Sequence, residues 1–300
     1  MENNMNINWY PGHMAKTKRQ IAEDLKLIDV VIEILDARIP ISSRNPDIEA
    51  LIQEKKKIIV CNKQDLADEK ANEQWMRYYQ KQQIPAVLTD ANSGKGIQEV
   101  IRTIEKVTQE EKEKASQKGR IGKSIRVMVL GIPNVGKSSF INRITQKTTM
   151  AVGNRPGVTK QKQWVRINQN IELLDTPGVL WPKFQNNEVA LHLAYTGTIK
   201  DDLLEKIEVA YYFLKFIIEN HREVLTQRYQ IELDTIEEIM DNKEAMENEN
   251  IMQILYLIGK RRGAILAGGM IDEEKTANLL LEDFRSGKLG RITIEPCKEI

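Results

Sequence analysis

A chain of 300 residues holds enough material for one sizeable core and a smaller second domain. With 41% apolar residues, 29% charged residues and 9 prolines, the composition excludes a disordered or low-complexity polymer, and no run approaches the roughly 18 apolar residues of a membrane helix. Cys61 and Cys297 stand too far apart for a zinc pattern or a disulfide framework, so the chain reads as a reduced, cytosolic protein with no membrane partner and no obligate oligomer expected.

Short apolar runs predict buried strands at Val30–Leu35, Lys57–Cys61, Ala86–Leu88, Ile125–Gly131, Trp164–Ile167 and Ile171–Leu174. Helix-length segments such as Ala71–Gln82 and Gly96–Lys118 lie between them. That alternation predicts an α/β domain with a largely parallel sheet flanked by helices and a ligand at the strands' carboxyl ends. Beyond about Lys183 the strands stop, and amphipathic patterns at Leu203–Asn220, Ile251–Arg262 and Glu273–Arg285 predict a smaller all-α domain. The expected division is an arm over residues 1–20, the α/β domain over 21–183 and the helical domain over 184–300.

Charge follows this division. Residues 1–199 carry 30 Lys+Arg against 22 Asp+Glu, residues 200–250 carry 6 against 14, and residues 251–300 carry 8 against 7. A polyanion such as RNA would meet the first region or a local basic cluster, not the acidic middle. Lys260, Arg261, Arg262, Lys288 and Arg291, grouped around small-residue turns, are the candidates for RNA phosphates; the alternative is that they balance the acidic segment within the domain.

Gly131-Ile132-Pro133-Asn134-Val135-Gly136-Lys137-Ser138 is a phosphate-loop pattern set between a strand and the helical segment Ser139–Ile144. In such a loop the backbone N–H groups of residues such as Asn134, Val135, Gly136 and Ser139 wrap phosphates, Lys137 reaches the β and γ phosphates, and Ser138 ligates Mg2+. Asp175-Thr176-Pro177-Gly178 follows the next strand, where Asp175 suits a carboxylate near magnesium and Gly178 a γ-phosphate contact. Thr159, in Arg155-Pro156-Gly157-Val158-Thr159, is the candidate switch hydroxyl on magnesium, or else an ordinary turn threonine.

Asn62-Lys63-Gln64-Asp65 ends the second strand and resembles the guanine-reading motif of GTPases. The Asp65 carboxylate can accept from N1–H and the exocyclic amine of guanine, a donor pair adenine lacks. Asn62 can bond N7 and brace the loop, and Lys63 can lie over the base. Asp90-Ala91-Asn92-Ser93-Gly94-Lys95-Gly96 resembles the second base-contacting loop, with the Ala91 N–H meeting the guanine oxygen and Asn92 beside it; Asp90 replaces the usual serine. Because Asn62–Asp65 precedes Gly131–Ser138, the usual motif order is circularly permuted, and the switch segments lead directly into the helical region.

With Trp9-Tyr10-Pro11-Gly12-His13-Met14, Asp36-Ala37-Arg38-Ile39-Pro40, Ser43-Arg44-Asn45-Pro46 and Leu180-Trp181-Pro182 added, nearly the whole chain resembles the circularly permuted ribosome-assembly GTPases of the bacterial ribosome biogenesis GTPase A type. That resemblance implies GTP and GDP as ligands and hydrolysis coupled to late maturation of the large ribosomal subunit. It also implies stimulation by that subunit and a helical domain touching ribosomal RNA. Where many GTPases carry a water-orienting glutamine this chain has Val179 and Leu180, and the resemblance nominates His13 instead. Asn134 resembles the asparagine of potassium-activated GTPases, which implies K+ as an activating ion, or else a plain loop brace. The alternative function is a GTP-sensing RNA-binding scaffold with negligible hydrolysis.

Overall fold

The computed structural model describes residues 14–52, 55–110, 113, 124–146, 164–174, 186–199 and 205–298, with no side-chain description for residues 14–17 and 146. These residues fall into two compact units, one of residues 14–174 with 293–298, the other of residues 186–292. Among the described residues no helix is long and apolar enough to cross a membrane.

The first unit follows the predicted alternation: α1 (Met14–Leu25), β1 (Val30–Asp36), α2 (Pro46–Leu51), β2 (Lys56–Asn62), α3 (Glu69–Lys81), β3 (Ala86–Leu88), α4 (Ile97–Val107), β4 (Ile125–Leu130), α5 (Lys137–Gln146), β5 (Trp164–Asn168) and β6 (Ile171–Leu174). The sheet order is β3-β2-β1-β4-β6-β5, with β5 antiparallel to β6 and every other pair parallel. β1 is buried along its whole length, as a central strand covered on both faces must be. Chain order runs outward from β1 through β2 to β3 and, in the other direction, from β4 to β6. The reversal lies between β1 and β4, which makes their carboxyl ends the crevice of this sheet.

Pairing registers put Val31, Leu35, Ile59, Cys61, Met128 and Leu130 on one face. There α1 contributes Ile21 and Leu25, α2 Ile48, and α3 Trp75 and Tyr79. Local chemistry fixes the helix starts: Asn45 caps α2 by accepting from Asp47 N at 2.9 Å, and Asp68 caps α3 by accepting from Ala71 N at 2.8 Å. Neither cysteine is in a disulfide among the described residues, and burial pushes the Cys61 thiol up to about 12, leaving it an unreactive core residue.

The second unit contains α6 (Asn187–Tyr195), α7 (Lys206–Asn220), α8 (Glu223–Tyr229), α9 (Leu233–Met240), α10 (Glu247–Arg262) and α11 (Glu273–Arg285). Its core joins Phe213 of α7 to Phe284 of α11, ring centroids 4.8 Å apart, and to Tyr195 of α6 at 5.1 Å. A Cβ on Gly259 would stand 2.6 Å from both Ile271 and Thr276, so glycine lets α10 approach the start of α11. Asp283 is the polar centre. It takes a forked pair from Arg228 at 2.9 and 2.9 Å and the Tyr229 hydroxyl at 3.2 Å.

The end of the chain departs from the sequence expectation, which placed all of residues 184–300 in the helical region. Residues 293–298 belong to the sheet unit. Ile294 N donates to Arg38 O at 2.9 Å, Thr293 Oγ1 accepts from Asp68 N at 3.0 Å, and Trp75 Nε1 donates to Glu295 O at 2.9 Å. The Glu295 carboxylate accepts from Ile41 N at 2.6 Å, from Ser42 N at 3.0 Å and from the Ser42 hydroxyl. Glu295→Ala leaves buried donors unpaired and is expected to destabilise the sheet unit by about 2 kcal/mol. A urea titration following the unit's tryptophans checks this, with Lys298→Ala as the near-neutral control.

Candidate nucleotide site

The site grows from strand register. Asp36 and Asn62 pair at the carboxyl ends of β1 and β2, so both side chains emerge at one level beside the crevice. The loop after β4 closes against them. A Cβ on Gly131 would stand 2.8 Å from Ile34 O, and one on Gly136 would stand 2.3 Å from Asn62 Nδ2, so glycine is required at both places for the loop to lie this close. Gly136 has φ of 91°, and Asn134 also sits in the left-handed region at 61°. Ile132 and Val135 are buried and anchor the turn. The helical ladder of α5 begins with Phe140 N donating to Gly136 O at 2.8 Å, so the amides of residues 137–139 precede it and form an anion-attracting helix start.

The Asn62 side chain joins three segments. Its Nδ2 donates to Val135 O of the phosphate loop at 2.9 Å, while its Oδ1 accepts from Thr89 Oγ1 at 3.1 Å and from Ala91 N at 3.0 Å. Lys63, at φ 61°, adds a second link: Nζ donates to Asn134 O at 2.6 Å and lies 2.9 Å from Asp36 Oδ2. Asp65 is exposed at this mouth, and Ser138 and Ser139 are exposed at the start of α5. The Ala91 N–H, which the sequence reading assigns to a guanine oxygen, donates to Asn62 Oδ1 at 3.0 Å in this structure.

Asp90 organises its loop where a serine is usual. Its Oδ1 accepts from Asn92 N at 2.9 Å and Ser93 N at 3.3 Å, and its backbone pairs with Lys95 O at 3.0 Å and Gly94 N at 2.8 Å. Partial burial pushes the carboxyl up, but the Ser93 and Asn92 donors and Arg143 outweigh it and hold Asp90 below its usual value. Gly96, at φ 83°, would place a Cβ 2.1 Å from Leu88 O, which fixes glycine at the entry to α4.

Asp36 was legible only as part of a motif, yet it is the electrostatic anchor. Its Oδ1 accepts from Arg38 N and Nε at 3.0 Å each, and its Oδ2 from Arg38 Nη2 at 2.8 Å. The two side chains are 2% and 1% exposed. Burial alone would push Asp36 up; Arg38 and Lys63 overcome it and hold the carboxyl far below the usual range.

A family model described as 50S ribosome-binding GTPase matches residues 126–257. Ribosome biogenesis GTPase A of Priestia megaterium is 44% identical over 296 residues, 98% of this chain and 98% of that protein. The chain belongs to the ribosome biogenesis GTPase A family. The relative of the same name from Thermotoga maritima is 30% identical over 294 residues, 98% of this chain and 96% of its own. A crystal structure of GNP-bound YlqF from T. maritima shares the fold, with a TM-score of 0.65 at 24% identity over 95% of this chain and all of that one. This GTPase therefore carries a GTP-binding domain whose base-loop strand precedes the phosphate-loop strand, the permuted order.

The sequence candidates His13, Thr159, Asp175 and Gly178 lie outside the described residues. The RNA candidates divide. Lys260, Arg261 and Arg262 are exposed in the last turn of α10. Lys288, also exposed, lies 3.8 Å from the buried Asp283, and Arg291 is exposed near the end of the helical unit.

Because Asp36 is depressed in the folded protein relative to about 3.9 in the unfolded chain, its contribution to stability is complete above that value and is lost as pH falls toward the folded one. Asp36→Asn is expected to cost about 3 kcal/mol at pH 7 by leaving Arg38 buried without its carboxylate. The gap in unfolding free energy between the parent and Asp36→Asn should hold above about pH 4 and shrink as pH falls below it, measured by urea titration at each pH.

Proposed function

We propose that this GTPase acts in late maturation of the large ribosomal subunit, binding ribosomal RNA through its helical unit and hydrolysing GTP faster on the subunit than alone. The observation that supports the nucleotide half of this reading is the Asn62 bridge, which ties the phosphate loop to both base loops and leaves the Asp65 carboxylate exposed at the mouth. In this reading Asp65 accepts from the two guanine donors, the stem of Lys63 covers the base while its ammonium stays fixed, and the second Nδ2 hydrogen of Asn62 serves N7. The loop from Asn134 to Ser139 wraps the phosphates and Lys137 bridges their outer oxygens.

The residues present fit magnesium. Ser138 offers an exposed hydroxyl at the start of α5, and Thr159 and Asp175 supply the kind of oxygen a hard cation takes. When bound, Mg2+ would neutralise charge between the β and γ phosphates. His13 is assigned the orientation of attacking water, in place of the glutamine that Val179 displaces. Asn134 is assigned to a K+ beside the phosphates. Gly178 and Thr159 form the γ-phosphate-sensing switch. Lys260, Arg261 and Arg262, which are exposed, and Arg291 are assigned to RNA phosphates, with Lys288 contributing from the edge of the Asp283 cluster.

Asp65→Asn is expected to weaken GDP binding by at least about a hundredfold and to favour xanthine nucleotide, whose C2 carbonyl accepts where the guanine C2 amine donates. Fluorescence titration with both diphosphates reads this directly, and retained GDP affinity overturns the base assignment. Hydrolysis is measured with and without large subunits, in potassium and in sodium. Strong subunit stimulation that His13→Ala abolishes, with GDP affinity kept, is the expected result; turnover unaffected by the substitution removes His13 from the reaction. Reversing charge at Arg261 and Arg262 should weaken subunit binding and flatten its salt dependence.

A further inference from the structure

Arg143 carries no role in the phosphate loop or the base motifs, yet its side chain leaves α5 and ends on the second base loop. Its Nε donates to Ala91 O at 3.1 Å and its Nη2 donates to Asn92 O. The aliphatic stem lies against Gly94, where a Cβ would stand 3.3 Å from Cδ; with φ of 87°, Gly94 both turns the chain and makes room for the arginine. The same two peptide units are gripped from the other side. Asn92 N and Ser93 N, the partners of those carbonyls across each peptide bond, donate to Asp90 Oδ1. Peptides 91–92 and 92–93 are thus each held at both ends, the carbonyl by a cation and the N–H by an anion.

We infer that Asp90 and Arg143 form a clamp that positions the Ala91–Ser93 segment for guanine and makes Arg143 a specificity-determining positioning residue. The physical case has three parts. Two flexible peptide units with opposed charge-assisted bonds have little freedom left, so base recognition is prepared before nucleotide arrives. Arg143 lies near the end of the helix whose start is the phosphate site, so the clamp links base and phosphate recognition through one rigid element. The pair also accounts for Asp90: a carboxylate serves both N–H groups and attracts the guanidinium, which a serine hydroxyl at this place would not match. Lysine cannot reproduce the contact, because only the planar guanidinium reaches two successive carbonyls from one stem.

The inference rests on assigning residues 90–96 to the base, and the experiment separates the two. GDP, GTP and ADP affinities are measured by titration of the full chain for Arg143→Ala, Arg143→Lys, Asp90→Asn and Asp65→Asn, together with KM and kcat for GTP. Arg143→Ala is expected to raise the GDP Kd and the GTP KM about tenfold, to narrow the GDP-over-ADP preference and to leave kcat within about twofold. Arg143→Lys should recover part of the loss. Asp90→Asn keeps an oxygen for Asn92 N and Ser93 N but removes the charge that draws the guanidinium, so combined with Arg143→Ala it should weaken binding by less than the product of the single effects. GDP affinity within twofold of the parent in Arg143→Ala, or in Arg143→Lys if the alanine variant does not fold, overturns the clamp. If Asp65→Asn also leaves GDP binding unchanged, the base-site assignment fails with it; if only Asp65→Asn has an effect, the clamp alone fails.

Discussion

One side-chain amide holds the nucleotide site together. Asn62 stands at the end of β2, 2% exposed, and satisfies its amide by bonding Val135 O, Thr89 Oγ1 and Ala91 N. An amide that is buried must find such partners or destabilise the fold, so the requirement to satisfy Asn62 draws three loops together. Gly136 is the counterpart of that demand, since any Cβ there would collide with the amide nitrogen. The site is therefore a by-product of polar satisfaction at the sheet's carboxyl edge, which is also where the topology leaves a crevice.

Charge is used in the same manner. Asp36 sits at the level of Asn62 on the neighbouring strand, neutralises the buried Arg38 and steadies the Lys63 ammonium against Asn134 O. Glu33, three residues earlier on β1, shows the opposite outcome: burial raises its carboxyl, and Arg44 and Lys57 only partly offset this. The difference is geometric. Arg38 meets Asp36 with a fork of short bonds, whereas Arg44 approaches Glu33 no closer than 3.9 Å. In the helical unit Asp283 plays the part of Asp36, gathering Arg228 and Tyr229.

The C-terminal tail shows how non-local contacts escape a sequence pattern. Residues 293–298 have neither helical nor strand periodicity, and Glu295 looks like one more surface carboxylate. It is instead 8% exposed and bonded to a loop more than 250 residues earlier. Such a pairing leaves little trace in local propensity because, beside the Ser42 hydroxyl, the donors at Ile41 and Ser42 are backbone groups, which every residue carries.

By itself the sequence determined the strands, their largely parallel arrangement and the permuted order of the loops, because buried parallel strands need unbroken apolar runs and phosphate loops need glycine at fixed spacing. It also determined the helical nature of the second unit and its long helices, though α6, α8 and α9 are too short or too weakly periodic to stand out. Tertiary structure alone decided which residues brace the site. Asn62 with Val135, Lys63 with Asp36, and Arg143 with Ala91 are partners set by strand register and by the reach of long side chains across dozens of residues. Local periodicity carries no information about such partners; only the packed sheet brings their loops to one edge.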